Sequence, residues 1–150
     1  MHEKAFFKAV KASGVQAQVV AHRDFGVKVV LDQAGDAADG ALIFTEYAPS
    51  LQSPATQAWN AAYRTQYGTD ANVIAAQYYD SLLLIAEALK TGGPTRAGVK
   101  SGLEHMKAFQ GAMADYTFDA ARNGVHRIYV AKVAGGKLSL VKTLDEKTGP

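Results

Sequence analysis

The stretch Asn72 to Leu89, NVIAAQYYDSLLLIAEAL, is one of the most apolar runs in the chain, yet Tyr78, Tyr79 and Asp80 interrupt it at its middle. The run reads as a helix from about Ala71 to Lys90, stopped by Thr91-Gly92-Gly93-Pro94. It is no bilayer span, because Gln77, Asp80, Ser81 and Glu87 break the roughly eighteen uninterrupted apolar residues that a span needs. Ser81, inside the helix, is expected to return its hydroxyl to a backbone carbonyl rather than attack a substrate. The question that the stretch sets is why two tyrosines and an aspartate occupy its centre.

Working outward, Ser53 is a good N-cap with Pro54 at the first helical position, and Trp59, Tyr63 and Tyr67 recur at helical spacing before Gly68. On the other side Thr95 caps a third helix over RAGVKSGLEHMKAF, weakened by two glycines that each cost about 1 kcal/mol relative to alanine. Near the N-terminus, HEKAFFKAVKAS sets Phe6, Phe7, Ala9 and Val10 on one helical face, and Gly14 is suited to end that helix. VQAQVVAH and GVKVVLDQ are rich in β-branched residues and read as strands. Asp36 to Asp39 forms a polar turn, and ALIFTEY is a third strand-like run closed by Pro49. In the tail, YTFD, HRIYVAKV and KLSLVKTL are strand-like, with a hairpin signal at Ala134-Gly135-Gly136-Lys137. The order is mixed α/β, without repeat or linker.

The 150 residues are one domain's worth, able to bury roughly two thirds of the unfolded surface. Hydrophobic residues at 48% and charged residues at 20% belong to an ordinary globular chain. Sixteen basic and fourteen acidic residues, scattered singly, leave +2 and give no footprint for nucleic acid. With no cysteine, disulfides, thiolate metal sites and cysteine nucleophiles are excluded. The first ten residues lack the apolar segment of a signal peptide.

Catalytic patterns are weak. His2, His22, His105 and His126 have no metal-ligand spacing. Asp36 with Asp39, and Asp145 with Glu146, sit in polar turns where a solvated role is expected. The glycines of GDAADG and TGGPTRAG lack phosphate-loop partners, and no Gly-x-Ser-x-Gly elbow occurs. Asp119, Arg122 and Asn123 supply too few acids for calcium and read as an Asx-type turn with Gly124 at positive φ. Neither an enzyme nor a metal or cofactor site is indicated.

An ordered series of features carries a resemblance. A strand ending in Tyr47-Ala48-Pro49 is followed by a helix ending Tyr63-x-x-x-Tyr67-Gly68 and by a helix centred on Tyr79-Asp80 with Ala88-Leu89 near its end. Then come Phe109-x-Gly111, Tyr116-Thr117-Phe118-Asp119 and a terminal hairpin with Gly136-Lys137 at its turn. In this order the series resembles the C-terminal part of the substrate-binding proteins of branched-chain amino acid ABC transporters, the leucine-binding type, truncated and internally deleted. The resemblance implies an α/β, three-layer partial lobe or lobes of the type I periplasmic binding fold with a C-terminal β-hairpin. Within a single unit over 1–150, residues 1–31 resemble the start of lobe two, 35–110 the C-terminal part of lobe one, and 111–150 the closing strands of lobe two. It further implies an amino acid ligand, delivery to a membrane permease and a periplasmic location. Tyr79 is the implied ligand contact, a tyrosine offering an apolar face and one hydroxyl at little entropic cost. Tyr78, Glu46 and Tyr47 are the other cleft candidates, and Asp80 is expected to serve packing and capping.

A family member is more than twice this length, so the helices over 53–109 lack the sheet that they pack on in a full-length relative. Their apolar faces then need other cover, by repacking or by self-association into a homo-oligomer. Two alternatives to a partial binding domain follow: a fragment that only folds or self-associates without ligand, and a small-molecule sensor domain.

Overall fold

A computed structural model describes residues 3–125 and 127–144. In chain order the elements are α1 (Glu3–Ser13), β1 (Val20–His22), α2 (Lys28–Ala34), β2 (Leu42–Thr45), α3 (Pro54–Tyr67), α4 (Val73–Gly92) and α5 (Arg96–Glu104). They continue with β3 (Phe109–Gln110), β4 (Asp115–Phe118), β5 (Gly124–Val125), β6 (Ile128–Ala134) and β7 (Lys137–Leu144). Short 3-10 turns occupy Arg23–Gly26 and Gly35–Ala38.

One sheet has the order β1-β2-β6-β7 and a second, small one the order β3-β4-β5. β1 and β2 are parallel, with His22 opposite Phe44, and α2 lies between them in sequence, so the three make a β–α–β unit. β6 runs antiparallel to β2 and turns into β7, with a bulge between Val130 and Ala131. The turn uses Gly135 and Gly136, both at positive φ, as a two-residue hairpin connection requires. Its entry is pinned by the Gly135 N–H donating to Asp39 Oδ1 at 2.9 Å.

The GVKVVLDQ segment corrects the sequence reading, since it is the helix α2 and not a strand. Val27, Val30, Leu31 and Ala34 are buried while Lys28, Val29, Asp32 and Gln33 are exposed, a helical period hidden by the β-branched residues. Lys28 Nζ meets Asp32 at 2.7 Å, one turn on. Of VQAQVVAH only Val20–His22 is strand. The turn at 119–123 also differs in detail. Asp119 accepts from the Asn123 backbone N–H at 2.8 Å as expected, but the residue at positive φ is Arg122, and Gly124 opens β5 instead.

The three central helices form where their caps direct. Ser53 accepts from Thr56 N–H and Pro54 stands at the first turn of α3, while Gly68 closes it at φ 67°. Asn72 accepts from Ala75 N–H to start α4, and Gly93 ends it at φ 87°. Thr95 caps α5 through Gly98 N–H, but α5 stops at Glu104, short of the expected Phe109, which begins β3. A core runs through these elements, from Phe7 of α1 through Val30, Leu31, Ile43, Tyr47, Trp59 and Ala76 to Met113 and Val133. Only one side of the α1 face is enclosed: Phe7 is buried, whereas Phe6 is exposed and packs edge-on to Phe7 and Phe25.

The two glycines that weaken α5 are what let it touch α4. A Cβ at Gly98 would overlap the Gly92 carbonyl oxygen, and one at Gly102 would overlap the Ala88 carbonyl oxygen. The helices therefore meet backbone to backbone. Gly98→Ala, which an isolated helix would welcome by about 1 kcal/mol, is expected instead to destabilise the protein by about 1–3 kcal/mol, read as a lower urea midpoint.

Candidate functional site

Asp80 lies on the inner face of α4, 1% exposed. Its Oδ1 accepts the Ala112 N–H at 2.6 Å, and its Oδ2 accepts the Met113 N–H at 2.8 Å and the Tyr116 hydroxyl at 3.0 Å. A carboxylate removed from water is tolerable only when its oxygens are partnered in this way, and bonds to a charged acceptor are the strong ones. Gly111 is required for the approach, because a Cβ there would overlap Asp80 Oδ2. Asp80 thus fastens the loop before β4 to the middle of α4, which is a packing role. The Tyr116 phenol is pushed well above its ordinary pKa, first by burial and then by the negative charges of Asp80 and Glu46.

Beside Asp80, Tyr79 faces α3. Its ring lies 5.5 Å from Trp59, which also contacts Tyr63 at 5.2 Å and Tyr47 at 5.8 Å. Trp59, Ala62, Tyr63, Tyr79 and Leu83 line an open groove of about 870 Å³ between α3 and α4, with the Gly111-Ala112 backbone along one side. Tyr79 is 42% exposed there, so an apolar group could lie on its ring. Tyr78, one residue back and about 100° round the helix, does not join this cluster. It is 70% exposed.

Parallel strands gather side chains at their carboxyl ends, and in open α/β sheets that edge is where ligands bind. After β1 come Arg23 and Asp24, and after β2 comes Glu46. Arg23 Nη1 lies 3.4 Å from Glu46 Oε2 and its Nε 3.8 Å from Asp24 Oδ1, while His22 Nδ1 accepts the Asp24 N–H. Glu46 Oε2 is buried and has no hydrogen-bond partner among the described residues, so its contact with Arg23 is ionic only. It retains the capacity to accept from a donor.

Tyr47, the fourth residue expected in a cleft, is enclosed in the core at 1% exposure, with its hydroxyl donating to Asn60 Oδ1. As folded it fixes β2 to α3 rather than meeting solvent. Arg23, Asp24 and Trp59 were not singled out from sequence. Reading α2 as a strand hid the β–α–β unit, and with it the carboxyl edge on which Arg23 and Asp24 stand. Trp59 was noted only for its spacing. Other candidates resolve to structure: Ser81 bonds the Gln77 carbonyl, Asp36 pairs with Lys11 at 2.7 Å, and Asp39 holds the hairpin turn. Lys11 holds the Asp36 carboxyl below its ordinary pKa. Among the described residues no three His, Asp or Glu converge as metal ligands and no helix is long and apolar enough to cross a membrane. His2, His126, Asp145 and Glu146 lie outside the described residues.

Residues 4–137 match the family model of periplasmic binding proteins. No curated protein sequence matches the chain. Among solved structures, a leucine-binding protein of Thermotoga maritima is similar at a TM-score of 0.89 and 18% identity, over 97% of this chain and 42% of its own. The branched-chain amino acid transporter substrate-binding protein of Streptococcus pneumoniae, solved in complex with isoleucine, gives 0.83 and 25% over 93% and 41%. A solute-binding protein of Rhodopseudomonas palustris BisB5, solved in complex with 3,4-dihydroxybenzoic acid, gives 0.75 and 27% over 96% and 42%. The chain spans about two fifths of the length of these relatives.

Two outcomes check the geometry. Asp80→Asn keeps the shape but presents an amide N–H₂ to one of three donors, and is expected to destabilise by about 2–4 kcal/mol in chemical denaturation. Tyr47 and Tyr116, whose pKa values burial raises, should ionise only on unfolding, so both phenols stay silent in an alkaline absorbance titration past pH ~10. With folded pKa values above the unfolded one, their stabilisation is complete below pH ~10 and falls above it by up to about 1.4 kcal/mol per pH unit for each.

Proposed function

We propose, of a chain that belongs to the periplasmic binding protein family, that it contributes one side of a cleft for a small amino acid of the branched-chain type, held for an ABC transporter. The observation that carries the reading is the pair Arg23 and Glu46 at the carboxyl edge of the parallel strands. Opposite charges 3.4 Å apart suit a zwitterion, the guanidinium taking a carboxylate and the Glu46 carboxylate, which has an oxygen without a hydrogen-bond donor, taking an ammonium. An aromatic acid without an amine would offer Glu46 no hydrogen-bond donor beyond its ionic contact with Arg23, which favours amino acids over the dihydroxybenzoate of the R. palustris protein. Tyr79 is the proposed apolar contact, its ring held by Trp59. Delivery to a membrane permease from the periplasm is the partner and location that such a role entails.

In this reading the sheet β1-β2-β6-β7 belongs to one lobe and α3, α4, α5 with β3-β4-β5 to the other. Two separate sheets and the bonds of Asp80 to residues 112–116 support that division. They also support drawing residues 111–125 with α4 rather than with the closing strands.

The reading is tested by calorimetry with leucine, isoleucine, valine and benzoate on a sample shown to be folded. The expected result is saturable heat for the branched amino acids, weakened about fivefold in Tyr79→Ala, where about 1 kcal/mol of aromatic contact is lost. Glu46→Gln should weaken amino acids and leave benzoate unchanged. No heat from the folded chain would refute the reading, and unaltered affinity in Tyr79→Ala would remove Tyr79 from the site.

A further inference from the structure

We infer that Asn123 is a site of spontaneous, backbone-assisted deamidation, exposed to it by the strand register beside the turn and restrained by the carboxylate of Asp119. The step is internal to the chain. The Gly124 backbone nitrogen attacks Asn123 Cγ and an N–C bond forms, the proton of that nitrogen passes by way of water to Nδ2, and the Cγ–Nδ2 bond breaks as ammonia leaves. Water then opens the five-membered succinimide at either carbonyl, giving aspartate or isoaspartate. The net exchange is one water in and one ammonia out, a neutral amide becoming a carboxylate, with no oxidant, reductant or cofactor.

Such a step needs an Asx side chain followed by a backbone nitrogen that no Cβ shields, which only glycine supplies. The sequence holds two such pairs, Asp39-Gly40 and Asn123-Gly124. The structure separates them. The Gly40 N–H donates to the Val133 carbonyl at 2.9 Å, and Asp39 Oδ1 accepts the Gly135 N–H at 2.9 Å, so the nucleophile and the electrophile of the first pair are both engaged in the larger sheet. At the second pair the register runs the other way. The Asp119 N–H donates to the Asn123 carbonyl at 3.0 Å, which makes 119 and 123 a hydrogen-bonded pair and the next pair, Phe118 opposite Gly124, a non-bonded one. The Gly124 N–H therefore points away from β4, on the outer strand of the sheet β3-β4-β5. Asn60 and Asn72 are followed by Ala61 and Val73, whose side chains shield the nitrogen, and their own amides are bonded to Tyr47 and Pro49 and to the Ala75 N–H.

Asp119 opposes the reaction. Its Oδ1 accepts the Asn123 backbone N–H at 2.8 Å and its Oδ2 accepts Asn123 Nδ2 at 2.9 Å, so the nitrogen that must leave is held in a carboxylate fork. The same charge disfavours negative charge building up on the Gly124 nitrogen. The side-chain donor of Asn123, followed by its backbone N–H, keeps the Asp119 carboxyl below its ordinary pKa, so at neutral pH it only accepts. The restraint is nevertheless a local one. Residues 119–123 are all exposed, and Arg122 stands at φ 68°, a conformation that L residues rarely adopt. The turn therefore opens at low cost, and each opening frees the amide. Once converted it does not close in the same way, because a carboxylate at 123 faces that of Asp119 and isoaspartate adds a methylene to the main chain next to β5. The turn lies between β4 and β6, so the change falls on the connection between the two sheets.

The test is incubation of the folded chain in warm, mildly alkaline buffer, followed by proteolytic peptide mapping. The expected result is progressive replacement of the amide at 123 by a carboxylate, with isoaspartate among the products, while Asn60 and Asn72 stay intact and Asp39 forms no isoaspartate. Gly124→Ala, which adds the shielding Cβ, should slow the conversion about tenfold or more, and Asp119→Ala should quicken it, circular dichroism identifying both variants as folded. An amide that persists in the folded chain under conditions in which a synthetic peptide of residues 119–127 deamidates would overturn the inference. So would equal rates in Gly124→Ala and the unaltered chain, or a rate in Asp119→Ala no higher than that of the unaltered chain. None of these readouts involves ligand, so the inference and the binding proposal fail separately.

Discussion

The buried carboxylate of Asp80 is the constraint on which the second half of the molecule depends. Three donors from residues 112, 113 and 116 converge on it, and each is costly to bury unless it is met. Satisfying all of them fixes the height of α4 against the loop before β4, the direction in which Tyr116 enters the core, and the absence of a side chain at Gly111. The rotation of α4 about its own axis follows. With Asp80 turned inward, Tyr79 turns to Trp59 and α3, and Tyr78 turns to the outside with Leu82. The two tyrosines and the aspartate thus occupy three different sides of one helix, and their adjacency in sequence reflects three separate tasks.

The first half is held differently, by apolar packing around a β–α–β unit. Ile43 at the centre of β2 is fully enclosed, and Phe7, Val30 and Leu31 belong to the same cluster. The charged residues lie at the ends of the strands, where Arg23, Asp24 and Glu46 cluster without displacing that packing. The division is economical in physical terms: backbone order comes from buried aliphatic residues, and the edge is left free for polar chemistry.

Local signals that act over one turn were legible in the sequence. Ser53, Gly68 and Thr95 mark helix ends by bonds to neighbours within four residues, and the hairpin at Gly135-Gly136 needs only the φ freedom of its own two residues. What was not legible depended on partners far along the chain. Val29 and Val30 favour a strand by themselves, and only burial of every third or fourth side chain against Ile43 and Phe7 makes that segment helical. Tyr47 was expected in a cleft beside Glu46 from the family resemblance, but Asn60, thirteen residues on, takes its hydroxyl into the core. The glycines of α5 read as weaknesses because the helix they accommodate lies on the other side of a turn. The family resemblance rested on the order of motifs, which survives such local misreadings, and the periplasmic binding protein model matches residues 4–137.

The seam between α4 and α5 has a mechanical consequence. Side chains at a helix interface act as ball bearings: by changing rotamer they let one helix slide or roll past the other. At Gly92, Gly98, Gly102 and Ala88 nothing stands between the two backbones that could change rotamer. The pair therefore has no soft coordinate of its own and travels as a single rigid lever.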